Sequence, residues 1–146
     1  MNITHKIVSN ESEFQPFCEA VKSAGLPHQD LDYNSQVLIS YFKNDVVIGT
    51  GGLEIIERYG LLRSVSVSPD YRNQYIGMQI TSDILNNAKQ SNLDKIYLLT
   101  ETAKDYFQKL GFEEVNREHV PDEIKSTTEF AQVCPVSASC MMLKLE

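Results

Sequence analysis

Arg63 stands inside a run of apolar and small residues, Leu61 to Ser68, that reads as a strand and has no need of a charge. The planar arginine fork binds carboxylates, phosphonates and arsonate-like oxyanions through two parallel hydrogen bonds. A side chain entering a cleft would therefore meet a ligand with an acidic end. The alternative is a strand residue paired to Glu54 or Glu57 on the neighbouring strand. Just downstream, a Ser-Pro-Asp turn and a short polar loop, Tyr71 to Tyr75, open an amphipathic helix at about Gly77. The N–H groups at such a helix start hold a phosphate without any basic side chain. The stretch Leu61–Gly111 thus reads as strand, anion-binding loop, helix, strand and short helix, and is where a ligand is expected. The three histidines, His5, His28 and His119, show no metal-ligand spacing, so no metal site is expected. The three cysteines, Cys18, Cys134 and Cys140, form no CxxC pair and read as reduced thiols.

The whole chain sets limits on that ligand. Its 146 residues suit one domain, 1–146, with a core of its own. An apolar fraction of 42% and a charged fraction of 23% are those of an ordinary globular protein. A net charge of −7 argues against nucleic acid and anionic membranes as partners. It leaves room for a polyphosphate held by backbone amides. The longest apolar runs fall far short of the ~20 residues that cross a bilayer. The start, MNITHKIVSN, lacks a signal pattern. A cytoplasmic protein is expected.

The elements that must position these residues follow from periodicity. Residues 3–9 read as a strand. Asn10, with Glu13 three residues on, opens a helix carrying Phe14, Phe17, Cys18 and Val21, which Gly25 and Pro27 stop. The polar segment His28–Asn34 is a loop or a short helix, and stands where a lid would stand. Gln36–Lys43, an Asn44-Asp45 turn, Val46–Glu57, a turn at Arg58-Tyr59-Gly60 and Leu61–Ser68 make an antiparallel meander. In the last strand, Leu62, Ser64 and Ser66 alternate with Arg63, Val65 and Val67. The long second strand is interrupted by Gly49, Gly51 and Gly52, which asks for a close neighbour. A helix over Gly77–Asn92 puts Ile80, Ile84, Leu85 and Ala88 on one face. Lys95–Thr100 is a buried strand. A helix from Thr100 or Glu101 ends at Leu110-Gly111, and Phe112–Val115 resume as a strand. His119–Cys134 is a polar insertion with helical pieces from Pro121, and Ser137–Leu145 is the closing strand. The class is α/β, with a mixed, mainly antiparallel twisted sheet flanked by helices.

Three segments, SVSVSPDYRNQYIG, NLDKIYLLT and ETAKDYFQKLGFEEV, resemble the GNAT superfamily of acetyl-CoA-dependent N-acetyltransferases. They stand where that family has an apolar strand with a Pro-x-Tyr-Arg turn and pyrophosphate loop, the following strand, and a short helix ending in Leu-Gly-Phe. Leu62-Arg63-Ser64, the run Tyr97 to Thr100 with Thr102-Ala103, and EFAQVCPVSASCM resemble the arsenic-resistance (ArsN-like) branch. The N-acetylglutamate synthases share the Leu-Thr-x-x-Ala signature. The resemblance runs from about Gln36 to the end. One departure stands out, since two positions that are usually glycine are Asn73 and Tyr75. Asn tolerates the left-handed region. The Tyr75 side chain either crowds the phosphates or points outward and leaves its amide available.

The resemblance implies a GNAT fold, acetyl-CoA as co-substrate, and transfer of acetyl to a small amine. The amine is expected to be an amino acid or amino-acid-like compound. Strand residues Val65, Ser66 and Val67 would align the pantetheine. Loop and helix residues Arg72, Asn73, Gln74, Tyr75, Ile76, Gly77 and Met78 would hold the pyrophosphate. Glu54 is implied as general base; its alternative is a solvent-facing strand carboxylate. Glu101, past the Lys95–Thr100 strand, is a second acid near the expected cleft, able to serve as base or acceptor contact, or else simply a first-turn helix acid. The thiolate's proton donor is usually a tyrosine, yet Phe107 holds that position and Tyr106 stands one residue early. Arg63 would take the acidic end of the acceptor, with Thr127–Ala138 forming part of the pocket and Cys134 a structural thiol. The resemblance also allows a homodimer. A GNAT-fold protein that binds a ligand or partner without turnover is the competing expectation.

Overall fold

The computed structural model describes residues 3–72, 75–127, 130 and 138–145. Strand β1 is Thr4–Ile7 and helix α1 is Glu11–Ser23. Asn10 caps α1 by accepting the Glu13 amide at 3.0 Å, as expected. The Glu13 carboxylate reaches back one residue further than a capping box requires, taking the Ser9 amide and hydroxyl at 2.9 Å each. Gly25, at φ 73°, ends the helix. Residues 26–35 then form turns and no helix, which settles the choice left open by the sequence.

The meander is β2 (Gln36–Lys43), β3 (Val46–Ile56) and β4 (Tyr59–Val67). Asn44 and Asp45 make the first hairpin with φ of 54° and 65°. The second turn is Glu57-Arg58, not Arg58 to Gly60, because Ile56 already pairs with Tyr59 and Glu57 takes the left-handed φ of 56°. Helix α2 spans Ile76–Gln90, β5 Lys95–Thr100, α3 Lys104–Lys109, β6 Glu113–Glu114, α4 Asp122–Lys125 and β7 Ser139–Lys144. Helix α3 starts later than expected, since the Thr100 hydroxyl takes the Ala103 amide at 3.0 Å and turns the chain first. The seven strands run β1-β2-β3-β4-β5-β7-β6, antiparallel except for β4 with β5. Strand β7 inserts between β5 and β6, so the closing strand lies inside the sheet and β6 forms its edge.

Two layers of side chains hold the sheet. On one face α2 and α3 pack Ile76, Ile80, Ile84, Ala88 and Phe107 against Ile39, Tyr41, Leu53, Leu62, Ile96 and Leu98. The strand glycines explain how closely α2 sits. A Cβ on Gly51 would lie 2.5 Å from the Ile80 side chain, and one on Gly49 would lie 3.0 Å from it. On the other face α1 and Leu38 form one cluster, and Leu61, Tyr97, Val120, Ile124, Phe130 and Cys140 form another. Cys18 and Cys140 are free thiols; Cys134 lies outside the described residues. Burial pushes the Cys140 thiol up to about 11. Among the described residues no helix is long and apolar enough to cross a membrane.

Candidate functional site

Strands β4 and β5 pair only at Tyr59–Lys95, Gly60–Ile96 and Leu61–Tyr97. Beyond Leu61 and Tyr97 they run on to Val67 and Thr100 without pairing to each other. A bulge in β4 accompanies the parting. Gly52 faces Arg63 and Thr50 faces Ser66, so Ser64 and Val65 share the space opposite Gly51, and Ser64 takes φ 59°. A bulge bends its strand and increases local twist. The Thr50 hydroxyl fixes it, bonding the Ser64 carbonyl at 2.7 Å and the Ser66 hydroxyl at 2.6 Å. The bulge also corrects the expected alternation. Arg63 and Ser66 face the α1 side, whereas Val65 and Val67 join Leu62 against the α2 side. The backbone of Val65, Ser66 and Val67 lies on the stretch of β4 that β5 has left.

The N-terminus of α2 lies at the end of that stretch. Arg72 ties the connection to β4, its Nε donating to the Val67 carbonyl at 3.1 Å. Asn73 and Gln74 lie outside the described residues. Tyr75 is the N-cap of α2, in the left-handed region at φ 63° and ψ 12°, and offers no side-chain cap. The residue is 78% exposed, so its side chain points outward, the second of the two alternatives. Among the described residues, the first turn of α2 thus has no cap from the Tyr75 side chain and carries no acid of its own. An uncapped, acid-free helix start suits an anion.

Tyr106 on α3 points into the underside of the same turn. A Cβ on Gly77 would lie 2.7 Å from the Tyr106 hydroxyl, so only glycine leaves it room. That hydroxyl is buried and makes no hydrogen bond, although the Thr81 side chain is near. Burial raises its pKa above the usual phenol value, and Thr81 opposes the rise. Phe107 points elsewhere, into the core, 5.6 Å from the Phe112 ring. One step along a helix separates the two rings by about 100°. The phenol one residue early is thus the one brought to the turn.

The α1 face carries the charges. The Arg63 side chain has no exposed surface. Its Nη1 and Nη2 donate to the two Asp30 carboxylate oxygens at 2.5 and 2.6 Å, and Nη1 also reaches Glu54 Oε1 at 3.3 Å. Glu54 lies opposite Leu61, the last β4 residue paired to β5, and its side chain is 21% exposed. Gly52 lies directly opposite Arg63; a Cβ there would lie 3.2 Å from the Arg63 carbonyl oxygen and 3.2 Å from Leu38 Cδ2. Glu54 was one of the two partners expected for Arg63. Asp30 was not, and no local pattern links it to an arginine on a distant strand. Its only sequence signal is membership of the polar segment assigned to a lid. Gln36 was missed as well: its Nε2 donates to the Asp30 carbonyl at 3.3 Å and its Oε1 accepts the Asp32 amide at 2.9 Å. Glu101 is exposed just past β5, ahead of α3 rather than in its first turn.

The pieces agree with a bound acyl-CoA thioester: an unpaired strand edge, an uncapped helix start beside it, and a buried hydroxyl without a partner. The comparisons with known proteins point the same way. The model of the acetyltransferase (GNAT) domain matches residues 34–114. An amino-acid acetyltransferase of Buchnera aphidicola is 30% identical over 124 residues, covering 84% of this chain and 25% of that protein. The chain spans a quarter or less of the length of such relatives, 15% for the enzyme from Edwardsiella ictaluri. A GNAT-family acetyltransferase from Staphylococcus aureus superposes with a TM-score of 0.79 at 20% identity over 99% of this chain and 100% of that one. N-acetylglutamate synthase from Neisseria gonorrhoeae, solved with coenzyme A and N-acetyl-glutamate, gives a TM-score of 0.82 at 10% identity over 100% of this chain and 36% of that one. The splayed strands and the family match together place this chain in the GNAT acetyltransferase family, whose co-substrate is acetyl-CoA.

Proposed function

We propose that residues 1–146 form one acetyltransferase domain that transfers acetyl from acetyl-CoA directly to the amine of a small acceptor, an amino acid or amino-acid-like compound. The observation that carries this reading is the parting of β4 and β5, with an uncapped helix start on one side and the Glu54–Arg63 pair on the α1 face. Amino-acid acetyltransferases among the relatives support the acceptor class. A cytoplasmic setting belongs to the proposal as a reading of composition and hydropathy, and a homodimer as one the resemblance allows.

Acetyl-CoA supplies the thioester. The free edge of β4 at Val65, Ser66 and Val67 aligns the pantetheine amides. The segment Arg72 to Met78 holds the pyrophosphate through backbone N–H groups. Arg63 holds Glu54 in place, its Nη1 lying 3.3 Å from Glu54 Oε1. Glu54 takes the acceptor's proton, directly or through a water, leaving a neutral amine to attack. Tyr106, kept protonated by burial, gives the Oη proton to the thiolate. Arg63 receives the acceptor's acidic end, and Glu101 at the rim is a further contact. Phe107, lying in the core with no hydroxyl to offer, favours the competing reading of binding without turnover.

Release of the CoA thiol across a panel of amines, with Glu54→Gln beside the native protein, separates the readings. Transfer to at least one amino acid is expected, with kcat down about 10²-fold in the variant. Tight acetyl-CoA binding with no transfer to any amine would leave the binding-only reading standing.

A further inference from the structure

The Arg63 fork is already filled, and by the chain itself. Both guanidinium nitrogens that the bonds name reach Asp30, a carboxylate from the 26–35 segment, at shorter distance than the one bond to Glu54 on the neighbouring strand. An external carboxylate would make the same two parallel bonds. Glu54 stays within 3.3 Å, so the buried cation keeps one counter-charge while the other is exchanged. The segment that carries Asp30 is tethered in few places. Leu26, Leu31 and Tyr33 pack on the cluster of Val8, Phe17, Val21 and Leu38, and Tyr33 lies 5.1 Å from the Phe14 ring. Its polar anchors are the two Gln36 side-chain bonds and short-range turn bonds such as Ser35 N to the Asp32 carbonyl at 3.3 Å. Gln36 holds the backbone on both sides of Leu31, which leaves Asp30 aimed at Arg63.

We infer that Asp30 is a built-in pseudo-substrate carboxylate that sets acceptor specificity: an acceptor enters by exchanging its own carboxylate for that of Asp30 on Arg63, and residues 26–35 open as it does so. The inference rests on the acceptor-binding reading of Arg63 given above. An acceptor lacking the carboxylate cannot replace the charge that Asp30 withdraws, and a buried charge left short of its partner is strongly disfavoured. The closed segment thus admits acids and rejects their amides.

Two readouts test it. In steady-state transfer, Asp30→Asn removes the internal competitor, so KM for the best amino-acid acceptor falls, by about tenfold if the open form is about a tenth populated in the native protein, with kcat little changed. Asp30→Glu, which restores a carboxylate, returns KM toward the native value. A KM that is unchanged or higher in Asp30→Asn would overturn the inference while leaving acetyl transfer intact. The second readout needs neither turnover nor a variant. In native protein without acetyl-CoA, millimolar amino acids, tried one at a time, accelerate hydrogen exchange at the Asp32 and Gln36 amides, and their C-terminal amides do not. Exchange unchanged by every amino acid, or raised equally by acids and amides, would overturn it. Absence of acetyl transfer to any amine defeats the proposed function, and the exchange experiment still decides the role of Asp30.

Discussion

Tyr106 keeps a buried hydroxyl beside Thr81 with no well-formed hydrogen bond. It excludes a side chain from Gly77. An unsatisfied buried polar group costs stability, so its removal should not destabilise the fold. Tyr106→Phe is therefore expected to leave Tm unchanged or slightly higher, while kcat falls about 10²-fold. A structural role would show the opposite pair: lower Tm and intact kcat. The raised pKa keeps the phenol protonated at neutral pH and beyond its ordinary value, so no loss of the donor is expected below that value. Legibility at this scale was uneven. Arg63 and Glu54 stood out as charges on strands, and the structure brings them together at 3.3 Å. Asp30 did not, because side-chain pairing across a loop leaves no periodic trace.

Among the elements, the glycines of β3 and the cap of α1 carry the clearest consequences. Gly51 lets α2 settle onto the sheet, and a methyl there would lie 2.5 Å from a branched side chain fixed on the helix. Gly51→Ala is expected to cost about 1–3 kcal/mol by overpacking, read by denaturant unfolding. Because α2 carries the uncapped turn, the same change should weaken acetyl-CoA binding. The α1 cap gives a pH prediction. Lys6, then the Ser9 amide and hydroxyl, lower the Glu13 pKa from 4.5 to about 2. A depressed folded-state pKa means stability present above the unfolded value and lost as pH falls toward the folded one. The Glu13→Gln variant should accordingly be less stable than native protein at pH 7, with the difference shrinking as pH falls below 4.5 and gone only below about pH 2. Most elements were legible because propensity and pattern agreed: the Asn44-Asp45 hairpin, the Ile80-Ile84-Ala88 stripe and Gly111 at φ 102° all sit where expected. The bulge at Ser64 was not legible. Ser-Val-Ser-Val-Ser alternates without a break, and the extra residue is set by the partner strand and by Thr50.

At the scale of the molecule, an acidic chain of net charge −7 is asked to hold a polyanion. The structure answers with geometry: the helix start is free of acids, and the carboxylates Asp30 and Glu54 are gathered on the α1 face around Arg63. The strand order could be inferred from the resemblance, but the parting of β4 from β5 could not be read from either strand alone. It depends on which residues fail to pair. We propose that acetyl-CoA lies in that parting, and Tyr75 is the residue of this chain that challenges it. Its side chain points outward and its backbone is left-handed at φ 63°, so we expect it not to clash with a bound phosphate. The measurement that tests this most directly is calorimetric titration of the native protein with acetyl-CoA, beside Tyr75→Gly. Micromolar binding by both, within a few-fold of each other, is the expected result. No binding by native protein, with or without rescue by the glycine, would contradict the cofactor site described here.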